Sequence, residues 1–216
     1  SSPIALNVGD NIITTIVTAQ DGVTTDTYTI TVTRAPSSNA GLDNISLTRG
    51  AVLSPAFARG TLSYTSSVHS NYASINLTPT TSDANATVTV DGVAVPSGSP
   101  SQTLPLVVGD NVVTVVVTAQ DGITTKTYTV TITRPSANAT LSNLKLNLGA
   151  LSPAFASATT GYTQSVGNGV TIVKVIPTTT NANATITVNG MATVSGQESS
   201  PIALNVGDNI ITTIVT

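Results

Sequence analysis

Residues 1–18, SSPIALNVGDNIITTIVT, recur letter for letter at 199–216. Neither chance nor selection on one strand keeps surface serines and threonines so literally. The chain therefore returns to its starting point after a period of 198 residues. A diverged copy lies between. Residues 101–134 align without gaps to 1–34, with 21 of 34 positions identical and seven of the 13 differences confined to exchanges among Ile, Val and Leu. Such exchanges keep volume and shape well enough for a core to absorb them. Self-similarity at a fixed period marks a tandem architecture.

The rest of the period is doubled as well. LDNISL at 42–47 matches LSNLKL at 141–146, and LSPAFARGTLSYTSSV at 53–68 matches LSPAFASATTGYTQSV at 151–166. DANATVTVDG at 83–92 matches NANATITVNG at 181–190. This spacing predicts the end of one repeat at 1–36, a complete repeat at 40–134, and a repeat at 139–216 without its last strand. The sequence is thus expected to be a slice of a longer array, with both ends falling inside a repeat. The links Ala35-Pro36-Ser37-Ser38-Asn39 and Pro135-Ser136-Ala137-Asn138 are short, and proline fixes φ, so a stiff rod is expected.

Within a repeat the pattern is that of strands. Tyr28-Thr29-Ile30-Thr31-Val32-Thr33 alternates apolar and hydroxyl residues with period two, as an antiparallel strand with one wet face does. Gln20-Asp21-Gly22 before it reads as a turn, and Val90-Asp91-Gly92-Val93 and Val188-Asn189-Gly190-Met191 carry strong hairpin dipeptides. About seven short strands per unit, with turn signals every 8–12 residues or so, predict an all-β, immunoglobulin-like antiparallel sandwich. At most Ser54–Ala58 and Ser152–Ala156 form a single helical turn.

The succession L-x-N-(I/L)-x-L, LSPAF, a Tyr-Thr strand, ANAT-(V/I)-TV-(D/N)-G, VGDN, TAQDG and TYT-(V/I)-T-(V/I)-TR resembles the bacterial cadherin-like β-sandwich domain family. The likeness covers essentially the whole chain. It implies tandem sandwiches in large secreted or surface-anchored proteins, and no single activity, because a sandwich hosts many functions.

Composition narrows the function classes. Charged residues make up only 8%, the formal net charge is −3, and the seven Lys and Arg are scattered, which argues against nucleic-acid binding. No cysteine is present, so disulfides and thiolate metal sites are ruled out. The longest apolar runs are only three to four residues, too short for membrane insertion of this segment as a helix. The lone His69 is replaced by Gly167 in the other unit, and no residue set resembles a nucleophile with its base, so no enzymatic activity is expected. No cofactor is expected either. The aspartates fall mostly in turns, where their side chains bond local backbone; the competing reading is a weak Ca²⁺ site built partly from carbonyls. No lysine recurs between units, which speaks against a repeated Lys–Asn isopeptide, although Lys174 stays open for one unit type.

Two surface features remain. Five N-x-S/T sequons, at Asn44, Asn76, Asn85, Asn138 and Asn183, are candidate glycosylation sites. The run Val112-Val113-Thr114-Val115-Val116-Val117 is apolar on both faces. One reading covers its second face with the domain's own loops. The sharper one assigns Val113, Val115 and Val117 to lateral contact with a neighbouring domain or rod, so that the expected partners are neighbouring repeats of the same polypeptide and laterally associated copies.

The function expected from the sequence is a structural or adhesive repeat of an extracellular or cell-surface fibre, filament or adhesin stalk, acting as a stiff spacer. The alternative is a polysaccharide-binding or spacer module of a secreted enzyme. Against it stand the absence of tryptophan and the presence of only five tyrosines, of which Tyr72 alone looks free to be exposed. A filament in which one subunit's end completes the next subunit's sandwich is a third reading, and the duplicated eighteen residues count against it.

Overall fold

A computed structural model describes residues 2–216. The described residues contain no helix and divide into two compact units, Ser1–Pro135 and Ser136–Thr216.

Unit 1 begins with a ten-residue hairpin, β1 (Gly9–Thr18) against β2 (Thr25–Arg34), in unbroken antiparallel register from Gly9↔Arg34 to Thr18↔Thr25. A complete sandwich follows: β3 (Leu42–Leu47), β4 (Ser63–Ser67), β5 (Ser74–Ile75), β6 (Leu77–Thr81), β7 (Thr87–Val90), β8 (Val93–Val95), β9 (Leu104–Pro105), β10 (Gly109–Thr118) and β11 (Thr125–Arg134). One sheet runs β4-β11-β10-β7-β8; the pairs β3–β6 and β5–β9 supply the rest. The β10–β11 register, Gly109↔Arg134 to Thr118↔Thr125, repeats that of β1–β2 residue for residue.

Alternation explains the core. Tyr128, Val130 and Ile132 point inward from β11 while the intervening threonines point out. They join Leu42, Ile45, Tyr64 and Leu77 in a cluster of 19 buried residues. Two tyrosines reach partners as buried hydroxyls must. Tyr128 Oη accepts the Leu42 N–H at 3.1 Å, and Tyr64 Oη donates to the carbonyls of Ala58 and Thr61 at 2.9 and 3.0 Å. Around Ser54 the chain forms a bridge to Thr65, and Phe57 is half-buried and stacks on Tyr64 at 5.8 Å.

Turn chemistry sets the registers. Asp91 and Gly92 both have positive φ, as a two-residue hairpin loop requires, and so do Asn189 and Gly190. Asp91 Oδ1 also accepts the Thr114 N–H, as Asn189 Oδ1 accepts that of Thr212; an acceptor oxygen is all the position needs, so Asp and Asn exchange freely. In the first two VGDN loops an asparagine ties four residues together, itself included. Asn111 accepts the Val107 N–H and donates to the Val107, Gly109 and Ile132 carbonyls, and Asn11 bonds identically to Asn7, Gly9 and Val32.

Unit 2 comprises β12 (Leu141–Leu146), β13 (Ile172–Val173), β14 (Val175–Thr179), β15 (Ile186–Val188), β16 (Met191–Thr193), β17 (Ile202–Ala203) and β18 (Thr213–Val215). Its pairs β12–β14, β13–β17 and β15–β16 match β3–β6, β5–β9 and β7–β8 of unit 1. Where β10 runs for ten residues, β18 runs for three against β15. The core is correspondingly thin. Val175, Ile186 and Val188 form its buried cluster, whereas Leu141, Leu144 and Tyr162, counterparts of the buried Leu42, Ile45 and Tyr64, are half-buried.

Candidate interaction surface

The valine run resolves into two rows, and the structure corrects the assignment of the first. Val113, Val115 and Val117 are at most 3% exposed and lie in the core of unit 1, so they are not available for lateral contact. The cause is the hairpin register. Val113 stands opposite Val130 and Val115 opposite Tyr128, and directly opposed residues share a face. The outward row is Val112, 63% exposed opposite Thr131, and the half-buried Val116 opposite Thr127. Two residues flanked by threonines make a small patch, well short of what marks a docking face.

The sequons separate by what their amides do. Asn44, Asn85, Asn138 and Asn183 are exposed. Asn76 is half-buried and donates its Nδ2 to the Ser101 carbonyl at 2.8 Å, so the nitrogen a sugar would occupy already bridges two segments. Asn138 Oδ1 accepts both the Thr140 N–H and its hydroxyl, at 2.9 and 2.7 Å.

The acidic residues are tied up locally. Asp21 Oδ1 accepts the N–H groups of Val23 and Thr24 while Oδ2 takes the Thr24 hydroxyl; this hydroxyl first, then the two amides, draw the carboxyl down to about 2. Asp121 is built the same way and is lowered for the same reasons, the Thr124 hydroxyl foremost. Asp10 and Asp110 accept the hydroxyls of Thr33 and Thr133 across their hairpins. Among the described residues, no three of His, Asp and Glu come together. Lys174 places its ammonium on Glu198 at 2.6 Å, while Asn147 Oδ1 takes the Lys174 backbone N–H.

Tyr72, expected to be free, is half-buried, with the Arg49 guanidinium 5.1 Å from its ring centre and His69 edge-on at 6.5 Å. Tyr28, expected to be inward, is 58% exposed.

One feature went unread in the sequence. Ser37, in the first linker, is fastened to the sandwich that follows it. Its N–H donates to Gln120 Oε1 at 3.0 Å, and its carbonyl accepts the Asp121 N–H at 3.1 Å. Its hydroxyl bonds Asp83, and that bond is the main reason this carboxyl lies below its usual value. The TAQDG turn therefore holds the linker as well as closing a hairpin, and only the recurrence of serine at 37 and 136 hints at it. The β1–β2 hairpin is the expected end of a repeat. Val17, Tyr28 and Ile30, aligned with the fully buried Val117, Tyr128 and Val130, stand exposed.

The sequence matches the family described as the cadherin-like beta sandwich domain over residues 1–35, 42–135 and 141–216. A stretch of 98 residues, 45% of this chain, is 35% identical to part of a protein of Evansella cellulosilytica that carries the provisional name of a membrane protein. The matched stretch spans 14% of that protein's length. No helix among the described residues is long and apolar enough to cross a membrane.

Proposed function

This chain belongs to the cadherin-like β-sandwich domain family, a class of structural and surface modules, and on that premise we propose that it is a repeat region of an extracellular or cell-surface fibre, filament or adhesin stalk, where it acts as a stiff mechanical spacer. The observation that carries the reading is the clamp on Ser37. Two hydrogen bonds, from the adjacent Gln120 and Asp121 of one turn, hold the residue through which the preceding strand enters the sandwich, and its hydroxyl is the first cause of the lowering of the Asp83 carboxyl. A linker held in this way loses the free rotation that a loose tether keeps.

The placement of β11 supports the mechanical part. The last strand of the sandwich lies inside its sheet, with ten antiparallel pairs to β10 on one side and five parallel pairs to β4 on the other. A pull on Arg134 along the strand strains many hydrogen bonds together. The reading assigns no catalytic role to any residue and needs no cofactor. A polysaccharide-binding role finds less support, because Tyr64 and Tyr128 are buried and Tyr72 has a guanidinium over its ring.

Single-molecule stretching of the full chain tests the spacer role. The complete sandwich should lengthen in one discrete step, of about 30 nm for some 95 residues at roughly 3.5 Å each. Smooth extension with no such step would sink it. Antibody labelling of intact cells of the source organism tests the location, and labelling only after permeabilisation counts against it.

A further inference from the structure

A group of polar side chains on the complete sandwich serves neither its core nor its linker. Arg49 and Gly50 both have positive φ, 62° and 69°, in the turn that the Ala51 N–H closes on the Thr48 carbonyl. Glycine adopts that conformation freely, whereas arginine there is strained. The Arg49 guanidinium lies 5.1 Å from the centre of the Tyr72 ring, and His69 meets the same ring edge-on at 6.5 Å. Among the described residues the ion pairs are Arg59–Asp43 and Lys174–Glu198, so no carboxylate answers Arg49. The loop that carries His69 and Tyr72 is held at three points. The Val68 N–H donates to the Thr133 carbonyl at 3.1 Å, the Leu106 N–H to the Ala73 carbonyl at 2.9 Å, and Arg134 Nε to the Ser70 carbonyl at 3.0 Å. In the second repeat the aligned positions hold Leu148, Gly167, Gly169 and Val170, so only one of the two repeat types has the group.

We propose that Arg49, His69, Asn71 and Tyr72 form a binding site for the uronate residues of an acidic polysaccharide. A guanidinium presents paired N–H donors in a plane that matches a carboxylate, and stacking on Tyr72 holds that fork in place. A carboxylate alone would fit an acidic peptide equally well; the neighbouring ring decides. His69 Nδ1 lies 2.9 Å from Asn71 Oδ1 and 3.4 Å from the Asn71 amide nitrogen. The shorter contact makes Nδ1 the donor, which in the neutral ring leaves Nε2 as an acceptor. An acceptor beside a cation suits a ligand that carries hydroxyls next to its carboxylate, as a uronate does. Arg49, His69 and Asn71 are exposed, so a long chain can reach them from outside. The guanidinium that removes Tyr72 as a stacking platform for neutral sugars is here the group that selects acidic ones. The inference is independent of the spacer role, which stretching tests separately.

Binding of the full chain to immobilised polygalacturonate tests the site, with dextran as the neutral control and polyglutamate as the acidic peptide. The chain has a formal net charge of −3 and is repelled by a polyanion overall, so retention requires a local site. Binding to polygalacturonate and not to dextran is expected. No binding to polygalacturonate overturns the proposal, and equal or tighter binding to polyglutamate assigns the site to acidic peptides and overturns it too. Arg49→Gly relieves the backbone and removes the fork, and should weaken binding about tenfold or more, as loss of hydrogen bonds to a charged group does. Unchanged binding by that variant overturns the assignment. Arg59→Gln removes a cation that Asp43 already holds at 2.8 Å and should leave binding as it was. Equal loss from both variants means attraction to charge in general and overturns the site.

Discussion

The same eighteen residues occupy two places in this molecule and fold differently in each. At 1–18 they form ten residues of strand, paired along their whole length with β2, and the side chains of Ile12 and Ile16 stand in solvent. At 199–216 they form five residues of strand in two pieces. Ile202–Ala203 pairs with β13 and Thr213–Val215 pairs with β15. Ser199, buried there, accepts the Val175 N–H at 3.0 Å, while the stretch from 207 to 212 forms no strand. Among the described residues, the first copy pairs with its hairpin partner alone, and the second pairs within a sandwich without one. The diverged copy at 101–118 has both, and shows the long strand and the buried row together. Strand length here comes from neighbours, each supplying its own share, and propensity merely permits it.

The largest break in that comparison comes from matched truncations at one position. Tyr128→Ala removes a fully buried ring and the acceptor of the Leu42 N–H, and should cost about 3–5 kcal/mol in urea unfolding of the sandwich. Tyr28→Ala, the same letter in the uncovered hairpin, should change dilute-solution stability by less than about 0.5 kcal/mol. Equal effects would mean that the hairpin is already covered.

A smaller effect sharpens the point. The identical copies carry Thr15 and Thr213 where the complete sandwich has the buried Val115. Val115→Thr should cost about 1–3 kcal/mol by burying a hydroxyl, whereas Thr15→Val should be near neutral.

The smallest effect should be the same in both hairpins. The carboxyls of Asp21 and Asp121 are lowered by bonds inside their own turns, not by the sandwich. A carboxyl lowered by folding adds stability above its unfolded value near 3.8, and that stability is lost as pH falls toward the folded value, about 2 for Asp21. Asp21→Asn should therefore flatten the melting temperature between those two values, and Asp121→Asn should flatten it below the unfolded value by a similarly small amount. A much larger change for Asp121 would show that its linker bond to Ser37 depends on the charge.

The fold was legible because repetition and period-two alternation agree along most of the chain, and because Asp-Gly and Asn-Gly mark the turns. The valine run was harder. With both rows apolar, alternation does not say which one faces in. The answer was present in the register that the QDG turn imposes, which sets Val113 and Val115 opposite a row whose outward members are all threonine. The bonds of Asn76 and Ser37 were scarcely legible: they reach segments about 25 and 83 residues away, and single-sequence patterning has no access to such partners.

The asparagine loop survives where its strand does not. Asn209 accepts the Asn205 N–H and donates to the carbonyls of Asn205 and Gly207, as Asn11 and Asn111 do in their loops, although the fourth bond, across the hairpin, is missing. A loop this short that needs no distant partner closes on the scale of about 10–100 ns, ahead of hairpin formation at about 1–10 μs. Each repeat thus carries a starting point for zipping, which lays down the first residue of the strand before the other strand has arrived. In a chain of near-identical repeats, where mispairing is the main kinetic hazard, the asparagine limits how far a late strand can slip.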